Sequence, residues 1–214
     1  MCGKFTAKAS WSGIVDAAWQ DPPVDDDRIL TYRVMGNVPV IVRSDAGRCV
    51  VPMRWGFPHP KDWKRPQPIH ARAETIDSLP TFAEAFRRGQ RGIVVVQSFN
   101  EAPETAEQHV VTPGGPIGIA FLWRQFKVAE TPEPFFACVM VTVAANALLT
   151  GLPTDRMPAV LAEADWEAWL NGHPEAAKAC LKTVDDVRWT MTREERAKST
   201  KRGKPVISDP AGLF

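Results

Sequence analysis

The strongest constraint on the fold is a series of short β-branched apolar runs cut apart by turn residues. Val38-Pro-Val-Ile-Val, Cys49-Val-Val-Pro-Met, Ile93-Val-Val-Val, Gln108–Val111, Ile117–Leu122 and Phe135–Val143 read as strands. Asn37 and the Asp45-Ala46-Gly47 turn separate the early runs, so Thr31-Tyr-Arg-Val-Met and the next two predict an antiparallel meander. Helical patterns are few and brief. Ser10 to Gln20 places Trp11, Ile14, Val15, Ala18 and Trp19 at helical spacing, and the acidic stretch from Asp21 to Asp27 reads as a loop. Thr81-Phe-Ala-Glu84 reads as a capping box, with Phe82 and Phe86 facing inward and Gly89 as the stop. Ala144–Thr150 reads as a helical turn, Glu163–Leu170 and Pro174–Leu181 as helices, and Val187–Met191 as a last strand.

The pattern predicts an α+β fold: a single compact domain dominated by antiparallel strands, with short peripheral helices. A chain of 214 residues suffices for one such domain, expected over residues 1–192. From Arg193 the basic residues Arg196, Lys198, Lys201, Arg202 and Lys204 with little apolar content predict a tail over 193–214. Lys and Arg number 26 against 25 Asp and Glu, so any attraction to a polyanion must come from local clustering. No run is long and apolar enough to span a membrane, and the N-terminus lacks the order of a secretory signal, so a soluble cytoplasmic protein is expected. Cysteines at 2, 49, 138 and 180 and histidines at 59, 70, 109 and 173 have no zinc-ligand spacing. Neither a metal nor a cofactor is expected. Gly-rich phosphate loops, GxSxG and HExxH are absent.

Three stretches carry chemistry. Met1-Cys2-Gly3 begins with an initiator Met that is normally cleaved before a small residue. Cleavage leaves Cys2 with both an α-amine and a thiol, whose reference pKa values of about 8 and about 8.5 make each partly reactive near neutrality. That pair can condense with an aldehyde and close a thiazolidine, or serve acyl transfer as nucleophile and base. The segment from Arg54 to Arg72 holds Trp55, Phe57 and Trp63 among Arg54, Lys61, Lys64 and Arg65, with four prolines that argue against regular structure. Such a loop suits single-stranded nucleic acid, cations for phosphates and rings for unstacked bases; equally, the tryptophans could plug the core. Glu101 follows the buried run at Ile93 and is a candidate acid or base.

Taken together, Met1-Cys-Gly, Arg54-Trp-Gly, Ala71-Arg-Ala-Glu-Thr, Phe99-x-Glu101 and Asp155-Arg-Met-Pro resemble the SOS response-associated peptidase family, in that family's order. The resemblance covers roughly residues 1 to 190 and implies a compact, barrel-like, mostly β fold with a cationic groove. It implies recognition of single-stranded DNA carrying an abasic site, a covalent link through Cys2, and autoproteolytic removal of whatever precedes that Cys. On this resemblance Cys2, His70, Glu101 and Thr154 are the catalytic positions. Lys4, Arg54, Trp55, Trp63, Arg72, Arg156, Met157 and Pro158 are the DNA-binding ones. Four places depart from the family pattern, one of them Phe99-Asn-Glu-Ala, which lacks the usual aromatic pattern around the Glu. His70 replaces an Asn, Thr154 replaces a His, and Lys4 replaces an Arg whose bidentate fork is thereby lost. Two other functions stay open: a Cys-dependent peptidase or amidohydrolase using Cys2 with Glu101, and a non-catalytic single-stranded DNA binder disabled at His70 and Thr154.

Overall fold

A computed structural model of the chain describes residues 2–8, 17–18, 29–45, 47–101, 107–129, 133–185 and 188–195. Its first half comprises β1 (Cys2–Lys8), β2 (Ala17–Ala18), β3 (Ile29–Arg33), β4 (Asn37–Ser44), β5 (Gly47–Trp55), β6 (Pro58–His59), β7 (Asp62–Pro66), β8 (His70–Arg72) and α1 (Pro80–Arg87). The second half comprises β9 (Arg91–Val96), β10 (Ser98–Glu101), β11 (Glu107–Thr112), β12 (Ile117–Phe126), β13 (Phe135–Ala144), β14 (Arg156–Pro158), β15 (Val160–Leu161), α2 (Trp166–Asn171), α3 (Pro174–Ala179) and β16 (Thr190–Glu195).

The Val- and Ile-rich runs form the inner strands. β5, β4, β9, β12 and β13 are neighbours in that order, and β13 returns to pair β5 in parallel at Ala137↔Arg54 and Cys138↔Trp55. That pairing closes a five-stranded barrel, small enough to be filled by its own side chains. A second sheet, ordered β16-β11-β10-β1-β3, carries the N-terminal strand. Trp55 joins the two: its ring is fully buried, 5.2 Å from Phe5 of β1 and 6.0 Å from Phe121 of β12, and its indole N–H donates to the Ile69 carbonyl at 3.1 Å. On the outside of the barrel, α2 docks on β9 through the Trp169 indole, which donates to Gly92 O at 2.9 Å. Gly92 also lets β4 approach closely, because a Cβ there would lie 2.3 Å from Val40 Cγ1.

Several expectations are corrected. The meander is split: β3 pairs β1 in the second sheet, whereas β4 and β5 form a hairpin in the barrel. The Pro-rich segment is partly regular, since β6 and β7 make a two-stranded ribbon whose prolines sit at strand ends, where a missing N–H is tolerated. α1 has no side-chain cap; Leu79 precedes it and Pro80, already set at helical φ, occupies the first turn in place of the Thr81 box. The predicted Ser10–Gln20 helix lies largely outside the described residues, but Ala17–Ala18 within it are a strand beside Cys49–Val50. The acidic loop lies wholly outside them. Strand β16 runs through Arg193–Glu195, past the boundary expected at 192, and the remaining basic residues lie outside the described ones. Among the described residues no helix is long and apolar enough to cross a membrane.

Because Trp55 bridges both sheets, Trp55→Ala is expected to lower the unfolding free energy by about 3–5 kcal/mol in urea titration. A loss below about 1 kcal/mol would show that the ring is not part of the core.

Candidate active site

Cys2 is placed by an irregularity in its own strand. Against β10, Cys2 pairs with Glu101 and Lys4 with Asn100, so two steps along β1 match one along β10. This bulge flips residue 2 onto the face shared by Phe5, which pairs with Phe99, so Cys2 and Glu101 both point to the buried side. Cys2 is 2% exposed in the chain that still carries Met1, and Glu101 is 1% exposed.

Cys2 pairs with Glu101 across β1 and β10, and its backbone lies close enough to the carboxyl to lower that group's pKa, so the nitrogen that becomes an α-amine on loss of Met1 lies beside a carboxylate. Burial raises the Glu101 pKa from its ordinary value. Burial, and then the neighbouring Glu101 charge, push the Cys2 thiol up to about 12. Its sulfur lies 3.4 Å from the Lys4 carbonyl, to which the S–H donates. The other side of residue 2 is held by His70 on β8, whose Nε2 lies 2.7 Å from the Cys2 carbonyl oxygen. A carbonyl only accepts, so Nε2 carries the proton. Burial lowers the His70 pKa to about 4, and the ring is therefore neutral at pH 7. It acts as a fixed donor, not as a group titrating near 6.5. Residue 2 thus has an acid beside its nitrogen and an imidazole on its carbonyl.

The remaining expected positions divide. Thr154 is occupied within its own turn: its hydroxyl donates to Arg156 O at 3.1 Å and accepts from Arg156 N at 3.3 Å. Arg156 is buried, with both terminal nitrogens on the Glu74 carboxylate at 2.7 and 2.9 Å and Nη2 also on Thr142 O. A guanidinium so engaged holds β14 to the segment after β8, and it has little left for a phosphate. Met157 and Pro158 are buried on β14 against Val143 and Thr142, and Trp55 is buried as described; these three offer no surface to DNA. Arg72 is exposed and close enough to Glu74 to lower that carboxyl's pKa, after the larger effect of the Arg156 hydrogen bond. Lys4 is half-buried and faces Arg33 across β1 and β3, which concentrates positive charge beside residue 2.

Arg54 and Trp63 form a second group near Cys2. The Arg54 guanidinium stacks 5.6 Å from the Trp63 ring and 5.8 Å from that of Phe135, and donates to Lys64 O. They border a cavity of about 450 Å³ with Asn37, Pro52 and Glu133. Its link to Cys2 is short: Arg54 touches Met35, and Val34 in the same turn donates to Gly3 O. Two participants were missed from sequence. Glu74 stood inside the quoted Ala71-Arg-Ala-Glu-Thr stretch, so a signal for it existed, whereas nothing marked Phe135 as the partner of Trp63. Among the described residues no group of three or more His, Cys, Asp or Glu side chains is placed to hold a metal ion.

The low His70 pKa has a consequence for stability. Between pH 6.5 and about 4 the unfolded chain takes up a proton that the folded chain refuses, so this group's contribution is full above 6.5 and is lost on acidification. Glu101, raised by burial, works in the opposite direction, so the comparison must be with a variant lacking only the imidazole. Over that interval the wild type is expected to lose about 1–3 kcal/mol more than His70→Asn, read by denaturant titration at each pH. Parallel losses would show that His70 is not buried neutral.

The fold has known counterparts. A protein of known structure from Bordetella bronchiseptica superposes with a TM-score of 0.75 at 20% identity, covering 91% of this chain and 100% of that one. One from Bacteroides thetaiotaomicron gives 0.67 at 20% identity, with 78% of each chain covered. By sequence the chain is 28% identical over 185 residues to the abasic site processing protein YoqW of Bacillus subtilis, covering 80% of each. It is 26% identical over 183 residues to YobE of the same organism, also named an abasic site processing protein, covering 80% of this chain and 82% of that one. The SOS response associated peptidase (SRAP) family matches residues 1–197, which contain Cys2, His70, Glu101 and both sheets. The chain belongs to that family.

Proposed function

We propose that the protein recognises abasic sites in DNA, in single-stranded form, and captures them covalently through Cys2 after removal of Met1. The observation that carries this reading is the pairing of Cys2 with Glu101, which sets the nitrogen of residue 2 against a buried carboxylate. The ring-opened abasic sugar presents an aldehyde at C1′. The Cys2 amine adds to that carbon, and the resulting hydroxyl leaves as water once protonated, forming a C=N bond. The sulfur then adds to the same carbon and the nitrogen takes a proton, closing the thiazolidine; one water is lost overall. Each step moves a proton, and a carboxyl beside the reacting nitrogen, its pKa raised by burial, is placed to give one and take one back. A thiol with a pKa near 12 rests protonated, so its proton must pass to a base as sulfur attacks, and Glu101 is the charged neighbour that raises it. His70 keeps the Cys2 carbonyl fixed during these steps. The same Glu101 lies where it can protonate the departing Cys2 nitrogen when the Met1–Cys2 peptide bond is hydrolysed, which would give the protein a hydrolase activity on its own N-terminus.

For the DNA, Lys4, Arg72 and the Arg54–Trp63–Phe135 slot are the proposed contacts, cations on phosphates and rings on an unstacked base. Arg156 supports the site through Glu74.

On abasic single-stranded oligonucleotides the wild type is expected to form a denaturant-stable adduct, and Cys2→Ala none. Glu101→Gln is expected to slow adduct formation by about 10²–10⁴. Peptide turnover with no adduct would favour a peptidase acting on other chains, and salt-sensitive binding with no adduct a non-catalytic binder. Arg156→Ala is expected to lower thermal stability, and Arg72→Ala to reduce the salt dependence of DNA binding. If Arg156→Ala alone reduced the salt dependence, the assignment of the two would be reversed.

A further inference from the structure

At the tip of the β4–β5 hairpin lies a cleft of about 630 Å³ between Arg43 to Asp45, the end of α1 and the α2–α3 junction. Its floor is Arg91, 4% exposed. The Arg91 guanidinium lies over the rings of Phe86 and Trp169 at 5.6 and 5.9 Å, and Nη2 donates to the Gly172 carbonyl at 2.5 Å. Nε and Nη1 make no hydrogen bond, and among the described residues no carboxylate pairs with it. A buried guanidinium with unused donors and no counter-charge is costly, and ring stacking offsets only part of that cost. Gly89 packs beside this side chain, where a Cβ would lie 3.6 Å from Nη2, and the Gly172 carbonyl occupies that nitrogen, leaving Nε and Nη1 as the unused donors. The mouth carries the exposed Arg43, Arg87 and Arg88 against the single acid Asp45. Arg88 does reach Glu84 at 3.2 Å, but both are exposed and such a pair is weak.

We propose that this cleft is a phosphate-binding site, separate from the Cys2 site. Phosphate fits better than carboxylate because its several anionic oxygens can accept from more than one guanidinium fork at once, whereas a carboxylate is satisfied by one. The separation follows from β4. Asn37, at one end, follows the turn that contacts Gly3, and Ser44, at the cleft, is the other end of an eight-residue strand. At about 3.3 Å per residue that is about 23 Å of strand. The phosphate has two possible sources, a DNA strand running on from the Cys2 site or a free phosphate compound. The first source rests on the function proposed above.

The test compares the wild type with Arg43→Glu/Arg88→Glu. Binding of a long undamaged single strand is measured against salt, and inorganic pyrophosphate is titrated while the Gly89 and Gly172 amides are followed by NMR. Adduct formation on a short abasic oligonucleotide is recorded separately and reads the Cys2 site alone. If the strand reaches the cleft, the double variant loses about 1.4 from the slope of log K against log salt, about 0.7 for each lost contact. If the slope is unchanged but pyrophosphate shifts both glycine amides in the wild type and not in the variant, the site holds with free phosphate as its source. An unchanged slope together with unmoved glycine amides overturns the proposal, whatever the adduct assay shows. Absence of adduct with a positive phosphate result would fault the reading of Cys2 and leave this one standing.

Discussion

The arrangement depends on one irregular strand pairing. In a regular antiparallel ladder, residues 2 and 5 of a strand face opposite sides, and Phe5 is committed to the core against Trp55 and Tyr32. The bulge between Cys2 and Lys4 breaks that alternation and turns residue 2 inward beside Glu101. A one-residue change of register would send Cys2 outward and dissolve the site while leaving the strand in place. The register is itself held by Phe5↔Phe99 and Thr6↔Ser98, whose two hydroxyl oxygens are 2.5 Å apart. Chemistry at the first residues of the chain is therefore supported from further along the same strand, by the contacts that join the second sheet to the barrel.

Burial then sets the proton chemistry. The same exclusion of water raises the pKa of an acid that must be charged to lose its proton and lowers that of a base that must be charged to gain one. Around residue 2 it acts in both senses: the Cys2 thiol and Glu101 are pushed up and His70 is pushed down. At neutral pH this leaves a protonated thiol and a neutral imidazole donor beside a carboxyl whose pKa burial has raised. The imidazole at position 70 is a neutral donor to the Cys2 carbonyl, and the cost of keeping it neutral is confined to acid conditions. Arg156 has a structural counterpart role, since its fork on Glu74 ties β14 to the segment following the strand that bears His70.

Much of the barrel was legible because its strands are local: runs of Val and Ile bounded by turns identify themselves regardless of partner. Glu101 stands after such a run in sequence, but it ends a separate strand, β10, that belongs to the other sheet. What could not be read were the long-range facts. The parallel closure of β13 on β5, the transfer of β3 to the other sheet and the Cys2–Glu101 pairing all join segments far apart in the chain, and no local pattern encodes them. Motif membership also does not fix exposure. Arg156, Met157 and Pro158 stand together in one short stretch, yet the three-residue β14 buries all of them, and Trp55 beside Arg54 turns inward while Arg54 stacks on Trp63. Proline count misled as well, because Pro58 and Pro66 occupy strand ends, where they do not interrupt pairing.

The central claim, that the nitrogen and sulfur of residue 2 are both delivered to one carbon, is tested most directly by peptide mapping of the protein after reaction with abasic DNA. The account predicts that the sugar remnant sits on the peptide beginning at Cys2, and that this peptide resists both thiol alkylation and amine labelling. A remnant on a lysine, or a Cys2 peptide that still alkylates or still labels, would contradict it.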